Sequence, residues 1–598
     1  MKNVRRLLLI LSVALLAWAG LVLATGGIQW RIAGTMFRSR DPDRALALGL
    51  VLLVVQAIAF RESFRRDTDR AAAILRRLMP ALVLGWALVL GAHAVRHGSF
   101  TASGSDSYGY VSEAYGWAHG TVLRPQPFPI SVPWPSADAS LAPLGYSMGP
   151  QPHTMVPIYA PGLPLMMAAA LVLGDCGPFL VVPLCATLVV WLSFLLGRRM
   201  GGPWAGLLSA MLAATSPIVL FQSVWPMSDV PSAAIWTGAA VAALGGTRRS
   251  ALATGLLTAA GLLVRPNLAM IPLVLFAHLA LSSRRRERWI RLALFCAGSA
   301  PAVIGIAALY TFWHGAPWKT GFASAGEMFL ASNIVPNLAR YPVWLWQSQS
   351  PLVLLAIVPL LPRFRNGIEP PAVRLGAALF LAALLSYLVY SPFEEWWYLR
   401  YLLPAIPAVL ALMATGVVVL GRRLPQPWGR AAVAGVTLFM LAYTTHFNLG
   451  HGMFGEIKEG ERRYAAVGTY IHDALPPNAI VFSVQESGSV RFYGGRMTIR
   501  WDSIDRAWTG RAAAEMERIG LHPYMVIEDW EVPQMRGWFG LAPAAPIPWP
   551  LVARLRDPVG VSVLDLATRP ASSVGPAALA LAGTPLCSTQ QPLSIQQP

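Results

Sequence analysis

The feature that most constrains this 598-residue chain is a succession of apolar stretches, each near the length a helix needs to cross about 30 Å of hydrocarbon. They fall near 7–27, 45–60, 78–95, 178–196, 203–222, 229–246, 250–264, 267–283, 290–309, 350–362, 373–391, 402–420 and 430–447. About thirteen crossings are expected. Several are short, and the two flanking Arg265-Pro266-Asn267 read either as separate spans or as one bent helix, which would invert the sidedness of all that follows. Composition points the same way: 55% of residues are hydrophobic and 13% charged, with a mean hydropathy of +0.51. Soluble globular chains carry about 25% charged residues. A water-soluble multidomain enzyme and intrinsic disorder are both excluded.

The arginines give the topology a direction. With a cytoplasmic N-terminus, the inside segments up to residue 447 hold twenty-four Lys and Arg against ten in the outward ones, as the positive-inside rule requires. The parity holds only if Arg265 marks a turn. Segment 28–44 is the awkward one, outward yet carrying Arg31, Arg38, Arg40 and Arg44. The net charge of +18 is absorbed by this topology and argues for no nucleic-acid partner. The first apolar run also fits a secretory signal peptide, although it is longer than a usual h-region. Cys176, Cys185, Cys296 and Cys587 have no pair spacing for zinc or a disulfide framework, so no structural disulfide is expected.

Two large outward segments remain, 96–177 and everything after 447. The second changes to a soluble composition. A helix is predicted over Glu461 to Leu475 and strands at Ile480 to Val484, Met497 to Trp501, Tyr524 to Ile527, Val552 to Leu555 and Val561 to Leu566, with a helix at Arg511 to Ile519. The expected division is an N-terminal two-helix membrane addition (1–77), a transmembrane domain (78–447), a small α/β domain (448–570) and a disordered tail (571–598).

Acids outside the cytoplasmic loops are few between 96 and 447: Asp106, Glu113, Asp138, Asp175, Asp229, Glu327, Glu394 and Glu395. A carboxylate at the membrane boundary costs desolvation energy unless solvated, paired or metal-bound. The densest constellation runs from Ser105 to Gly120, where Asp106 can cap a helix reaching Ala118. Glu113, seven residues on, shares its face with Asp106, and Tyr110 and Trp117 share much of it. This suits a sugar or phosphate site; a plain N-cap with interfacial aromatics is the competing reading. Arg265 and Arg400 suit phosphate through their fixed forks, or else cap a helix C-terminus and pair with Glu394 or Glu395. Asp229 is a metal ligand or an N-cap. His153 is a binding residue or a plain loop histidine, and Trp396, Trp397 and Tyr398 are a sugar-stacking platform or an aromatic belt. Glu528-Asp529-Trp530-Glu531 reads as a solvated helix start.

The stretch Asp106 to Gly120, following a transmembrane helix and opening the first large outward loop, resembles the first-loop motif of GT-C glycosyltransferases. Among them are protein O-mannosyltransferases (glycosyltransferase family 39) and aminoarabinose transferases. Asp106 takes the first acidic position, Tyr110 and Glu113 the helix positions and His119-Gly120 the turn; Ser107 stands where many relatives carry a second acid. Tyr159-Ala160-Pro161-Gly162-Leu163-Pro164-Leu165 resembles the proline-rich re-entry into the membrane, without the lysine of some relatives. Ser228-Asp229-Val230-Pro231 resembles a later acidic position, and Arg265-Pro266-Asn267 and Tyr398 to Pro404 resemble arginine-bearing helix ends. The likeness spans roughly 78–420.

The resemblance implies an all-α polytopic membrane protein with a small C-terminal extracytoplasmic α/β domain, sited in the cell (inner) membrane. It implies transfer of a sugar from a polyprenyl-phosphate donor to a hydroxyl on a glycan, lipid or protein. Asp106 and Glu113 are then the expected catalytic residues, Arg265 and Arg400 the donor-phosphate ligands, and Tyr110, His153, Tyr159, Trp397 and Tyr398 the substrate contacts. A divalent metal (Mg, Mn or Zn) on Asp106 and Asp229 is the cofactor that the likeness allows. The alternative is a transporter or flippase of lipid-linked saccharide, whose site would lie nearer the bilayer midplane.

Overall fold

The computed structural model describes residues 7–567 except 9, 13, 17, 20–21, 23–27, 33–34, 40–42, 122, 127–131, 136, 323–324, 426–427, 454 and 557, together with 577–579 and 587. Six helices among these are long and apolar enough to cross a membrane: Arg66–His97, Gly177–Gly201, Arg285–His314, Pro370–Leu388, Trp396–Gly421 and Trp428–Gly450. Two bent pairs, Pro203–Thr215 with Pro217–Ser223 at 53° and Ala331–Gln349 with Pro351–Leu360 at 103°, raise the number to eight if each is one span. The chain is therefore a multi-pass membrane protein, with fewer spans supported by length and composition among the described residues than the thirteen expected; the expected span 7–27 lies partly outside them. The difference has a physical origin. Asp229–Ala243, Arg248–Val264 and Met270–Ser282 have 15, 17 and 13 residues, short of the roughly 20 that a perpendicular span needs. The segment near 350–362 is a 3-10 helix, Pro351–Leu360.

The chain forms two compact units, one of Met1–Leu82 with Leu420–Val436, the other of Val83–Val419 with Thr437–Pro598. In the first, the arginine-bearing segment 28–44 holds an antiparallel hairpin of β1 (Ile28–Ile32) and β2 (Thr35–Ser39). In the second, the span Trp396–Gly421 is enclosed by protein along its whole apolar window. Its first part, Trp396–Ala405, is a 3-10 helix that includes Pro404.

The C-terminal domain is the expected small α/β fold. Its strands are β3 (Ala479–Phe482), β4 (Met497–Ile499), β5 (His522–Glu528), β6 (Leu551–Leu555), β7 (Val561–Asp565) and β8 (Ala577–Ala578), in the sheet order β8-β6-β7-β5-β3-β4. β3 pairs in parallel with β4 and β5, while β5, β7 and β6 are antiparallel neighbours. Side chains alternate across a strand, so each face has its own core. Ile480, Phe482, Met525 and Ile527 pack with Trp501 and with Trp134 and Leu141 of the loop 96–177. Val481, Tyr524 and Val526 pack with Val467 and Ile471 of helix Glu456–Ala474. The loop thus completes the domain's core. Most of the tail from 571, expected to be disordered, lies outside the described residues, but Ala577–Ala578 pairs with β6.

Two expectations are corrected. The run Glu528 to Glu531 is not simply solvated: Glu528 and Glu531 are buried, Arg463 donates to both oxygens of Glu528 at 3.0 and 3.2 Å, and Glu531 accepts from the backbone N–H of Gln485 and Glu528. Only its middle residues, Asp529 and Trp530, stay exposed. Cys176 and Cys587 form a disulfide across 411 residues, Cα atoms 5.1 Å apart. Local spacing could not reveal a bridge whose halves meet through the tertiary fold.

Candidate active site

The helix Asp106–Ala118 begins at Asp106 itself: Ser105 before it is already helical and makes no side-chain cap. Released from capping, the Asp106 carboxylate turns to other partners. Gly104, at φ +52°, makes the preceding turn and sits so close to Gln485 that a Cβ would come within 2.9 Å of its side-chain nitrogen. The start of the helix is thereby set against the C-terminal domain. One turn on, Gly109 presents bare backbone, where a Cβ would meet the Tyr159 ring at 2.5 Å. Tyr159 can therefore lie across the helix and donate to Asp106 Oδ1 at 2.6 Å. Ser105 Oγ is 2.6 Å from the same hydroxyl, which leaves Ser105 as donor to it.

Arg400 closes on the other carboxylate oxygen, its Nη2 donating to Asp106 Oδ2 at 2.7 Å. Its Nη1 donates to the Met227 sulfur at 3.2 Å, and its Nε lies 3.9 Å from Asp229 Oδ1. Arg265, which ends the helix Arg248–Val264, donates to Asp229 Oδ1 at 2.6 Å and to Ser228 Oγ at 3.1 Å. Tyr110 also donates to Ser228 Oγ, at 2.9 Å. Two carboxylates and two guanidiniums therefore form one alternating cluster. Its buried nitrogens Arg265 Nη1 and Arg400 Nε have no hydrogen-bond partner among the described residues. Burial opposes the charged form of Asp106, yet Arg400, the Tyr159 hydrogen bond and Arg265 more than offset it and hold the carboxyl below the usual range.

The cluster borders a cavity of about 540 Å³ whose lining includes Asp106, Tyr110, Tyr159, Arg265, Trp397, Tyr398 and Arg400. Residues three apart eclipse in a 3-10 helix, so Trp397 with Arg400 and Tyr398 with Tyr401 reach the same volume from Trp396–Ala405. Trp397 stacks on Phe221 at 5.8 Å and Tyr398 on Phe393 at 3.9 Å. The wall also includes Tyr310, Tyr387 and Tyr390, which sequence reading missed. Their only signal was position near a span end, where aromatics are common for other reasons.

Other expected residues lie elsewhere. Glu113 shares the helical face of Asp106, but seven residues at 1.5 Å each carry it about 10 Å along the axis. There it is buried, accepts from Trp117 Nε1 at 2.8 Å, and is not among the lining residues. Burial pushes its carboxyl up to about 8. His153 is exposed in a turn at φ +58°, away from the cavity lining. Arg400 pairs with Asp106 in place of Glu394 or Glu395; Glu394 faces Arg340 at 3.6 Å. Asp229 begins its helix without capping it and gives its charge to Arg265.

A divalent metal fits this donor set poorly. Both Asp106 and Asp229 are bonded to arginine, so a cation would have to displace a guanidinium and remain beside two fixed positive charges. Among the described residues no three His, Cys, Asp or Glu side chains are grouped to hold an ion.

Comparison with known proteins adds a partial match to one family model and a likeness of fold. Residues 160–312 match the family model of dolichyl-phosphate-mannose-protein mannosyltransferases. No curated protein sequence matches the chain. Among solved structures, the oligosaccharyltransferase of Archaeoglobus fulgidus in complex with Zn and sulfate superposes with a TM-score of 0.51 at 12% identity, over 77% of this chain and 70% of that one. ArnT from Cupriavidus metallidurans bound to undecaprenyl phosphate has a TM-score of 0.49 at 15% identity, over 82% and 98% of the two chains. The arabinofuranosyltransferase AftD from Mycobacteria has 0.47 at 15%, over 82% and 40%.

Proposed function

We propose that the chain is a GT-C-type membrane glycosyltransferase that moves a sugar from a polyprenyl-phosphate donor to an acceptor hydroxyl. The observation that carries this reading is the charge cluster on one cavity wall. A carboxylate stands beside two guanidiniums that each keep a buried N–H without a hydrogen-bond partner among the described residues. Arginine binds phosphate through a fixed, permanently charged fork.

In this reading Arg265 and Arg400 receive the donor phosphate, and Tyr110, Tyr159, Trp397 and Tyr398 contact the sugar. Asp106 is the general base. The acceptor oxygen bonds to the anomeric carbon while its proton passes to Asp106. The bond from that carbon to the phosphate oxygen breaks, and its electron pair leaves on the phosphate, where the arginines stabilise the charge. Attack opposite the leaving group inverts the anomeric centre. No step needs a metal, since the guanidiniums supply the positive charge. Glu113 and His153 take no direct part.

Two independent features support the sidedness of this reading. The arginine excess of the segments read as inward favours an extracytoplasmic loop 96–177 and C-terminal domain. The bridge between Cys176 and Cys587 calls for an oxidising compartment at both of its ends. We therefore assign the chain to the cell (inner) membrane, with residues 78–447 holding the chemistry and 448–570 forming an extracytoplasmic domain.

The test is transfer by the purified protein in lipid vesicles supplied with a radiolabelled polyprenyl-phosphate sugar and candidate acceptors. Transfer that depends on Asp106 is the expected result. Translocation of the lipid-linked sugar without transfer, indifferent to Asp106, would overturn the reading in favour of a flippase.

A further inference from the structure

We infer that Arg400 is an exchanged residue: it pairs with Asp106 in the resting protein and leaves it for the donor phosphate, so that donor binding itself releases the base. The inference rests on the glycosyltransferase reading given above, and it follows from an asymmetry between the two arginines.

Arg265 is fixed. It makes two hydrogen bonds at 2.6 and 3.1 Å, and its carboxylate partner Asp229 is only 1% exposed. Arg400 is held more loosely. Apart from Asp106, its contacts include a thioether, a weak acceptor, a carboxylate 3.9 Å away and the face of the Tyr401 ring at 5.5 Å. The Arg400 and Asp106 side chains keep 18% and 23% exposure, and both line the cavity. A phosphate entering there meets the guanidinium directly. Arginine cannot leave Asp106 by losing its proton, so the exchange is one of partners.

Asp106 would not swing away when Arg400 departs. Tyr159 holds Oδ1 through a separate hydrogen bond, with Ser105 behind it. Oδ2 is left bare, in place, and more basic than before. The nearby Asp229 keeps Arg400 partly compensated as it moves. The consequence is an ordered reaction: the acceptor proton finds its base only after the donor is seated.

The pairing with Asp106 also competes with the donor. An equilibrium that holds the binding group in another contact lowers apparent affinity by the fraction of time it is engaged, so freeing Arg400 should tighten donor binding by about tenfold. The experiment measures binding of undecaprenyl phosphate to full-length protein in nanodiscs, by quenching of tryptophan fluorescence. The proteins are wild type, Asp106→Asn, Arg400→Gln and the double variant, each first shown to be monodisperse with a defined melting transition. The expected result is tighter binding by Asp106→Asn than by wild type, with the gain absent in the Arg400→Gln background. Equal or weaker binding by Asp106→Asn overturns the exchange and leaves the glycosyltransferase reading standing. A gain that persists without Arg400 also overturns it, because the effect is then repulsion between Asp106 and phosphate. Failure of wild type to bind the lipid at all removes the glycosyltransferase reading and the exchange together. Should Asp106→Asn not fold, Asp106→Ser serves in its place under the same criteria.

Discussion

Arg400 and Asp106 stand 294 positions apart in the chain, and their side chains meet at 2.7 Å on the wall of one cavity. The contact joins the start of the first loop helix to the 3-10 turn that opens an enclosed span. It puts a carboxylate and a guanidinium where one ligand can touch both.

If Asp106 takes the acceptor proton, Asp106→Asn lowers the transfer rate by about a hundredfold or more, within the range of general-base catalysis. Tyr159→Phe keeps the base but loses its orienting bond, and a loss of roughly tenfold is expected. Rates in vesicles, with melting temperatures measured alongside, check both. An Asp106→Asn rate within a factor of three of wild type sinks the assignment.

Gly109→Ala tests the geometry without touching any polar group. The added methyl meets the Tyr159 ring and should push it off Asp106, lowering transfer by about tenfold, since small displacements of a positioned group are costly. Gly120→Ala, at a glycine whose Cβ would meet nothing within 4 Å but whose φ is +70°, should strain its turn and leave the rate nearly unchanged.

The Arg265–Asp229 pair is buried, and removing one partner strands the other charge. Asp229→Ala should cost about 3–5 kcal/mol of stability, whereas replacing both residues with apolar ones of similar size should cost much less. Thermal melts in detergent compare the single and double variants. Equal losses would mean that the pair's charges are not the source of the effect.

Two buried carboxyls in the loop and the C-terminal domain make stability depend on pH. Burial lifts Glu113 to about 8 and Glu531 to about 7, from an ordinary 4.5. The folded protein therefore keeps protons that the unfolded chain has lost, so what these two groups contribute to stability is greatest below pH 4.5 and falls as pH rises from there through these values. Glu113→Gln keeps an acceptor for Trp117 and should flatten the melting profile above pH 6, with transfer at pH 7 within about threefold of wild type. A loss beyond a hundredfold there would instead place Glu113 in the reaction.

The disulfide predicts a labelling count. Denatured protein without reductant should take up two maleimides, at Cys185 and Cys296, and four after reduction. Four labels before reduction, on protein purified from its native membrane, would remove the bridge and the compartment argument built on it.

The sequence alone determined that this chain spans a membrane repeatedly and that an α/β domain follows residue 447. Those properties depend on local length, hydropathy and alternation: Ile480 and Phe482 face one way and Val481 the other wherever the strand sits. Asp106, Arg265 and Arg400 were also legible as candidates, because charged residues at a membrane boundary are scarce. Tertiary structure alone decided their partners. Asp106 looked like a helix cap and proved to be the acceptor for Tyr159 and Arg400, while Glu113, on the same helical face, ended too far along the axis to reach the cavity. Cys176 and Cys587 paired across 411 residues. Partnerships of this kind depend on how distant segments pack, and no periodicity within a segment encodes them.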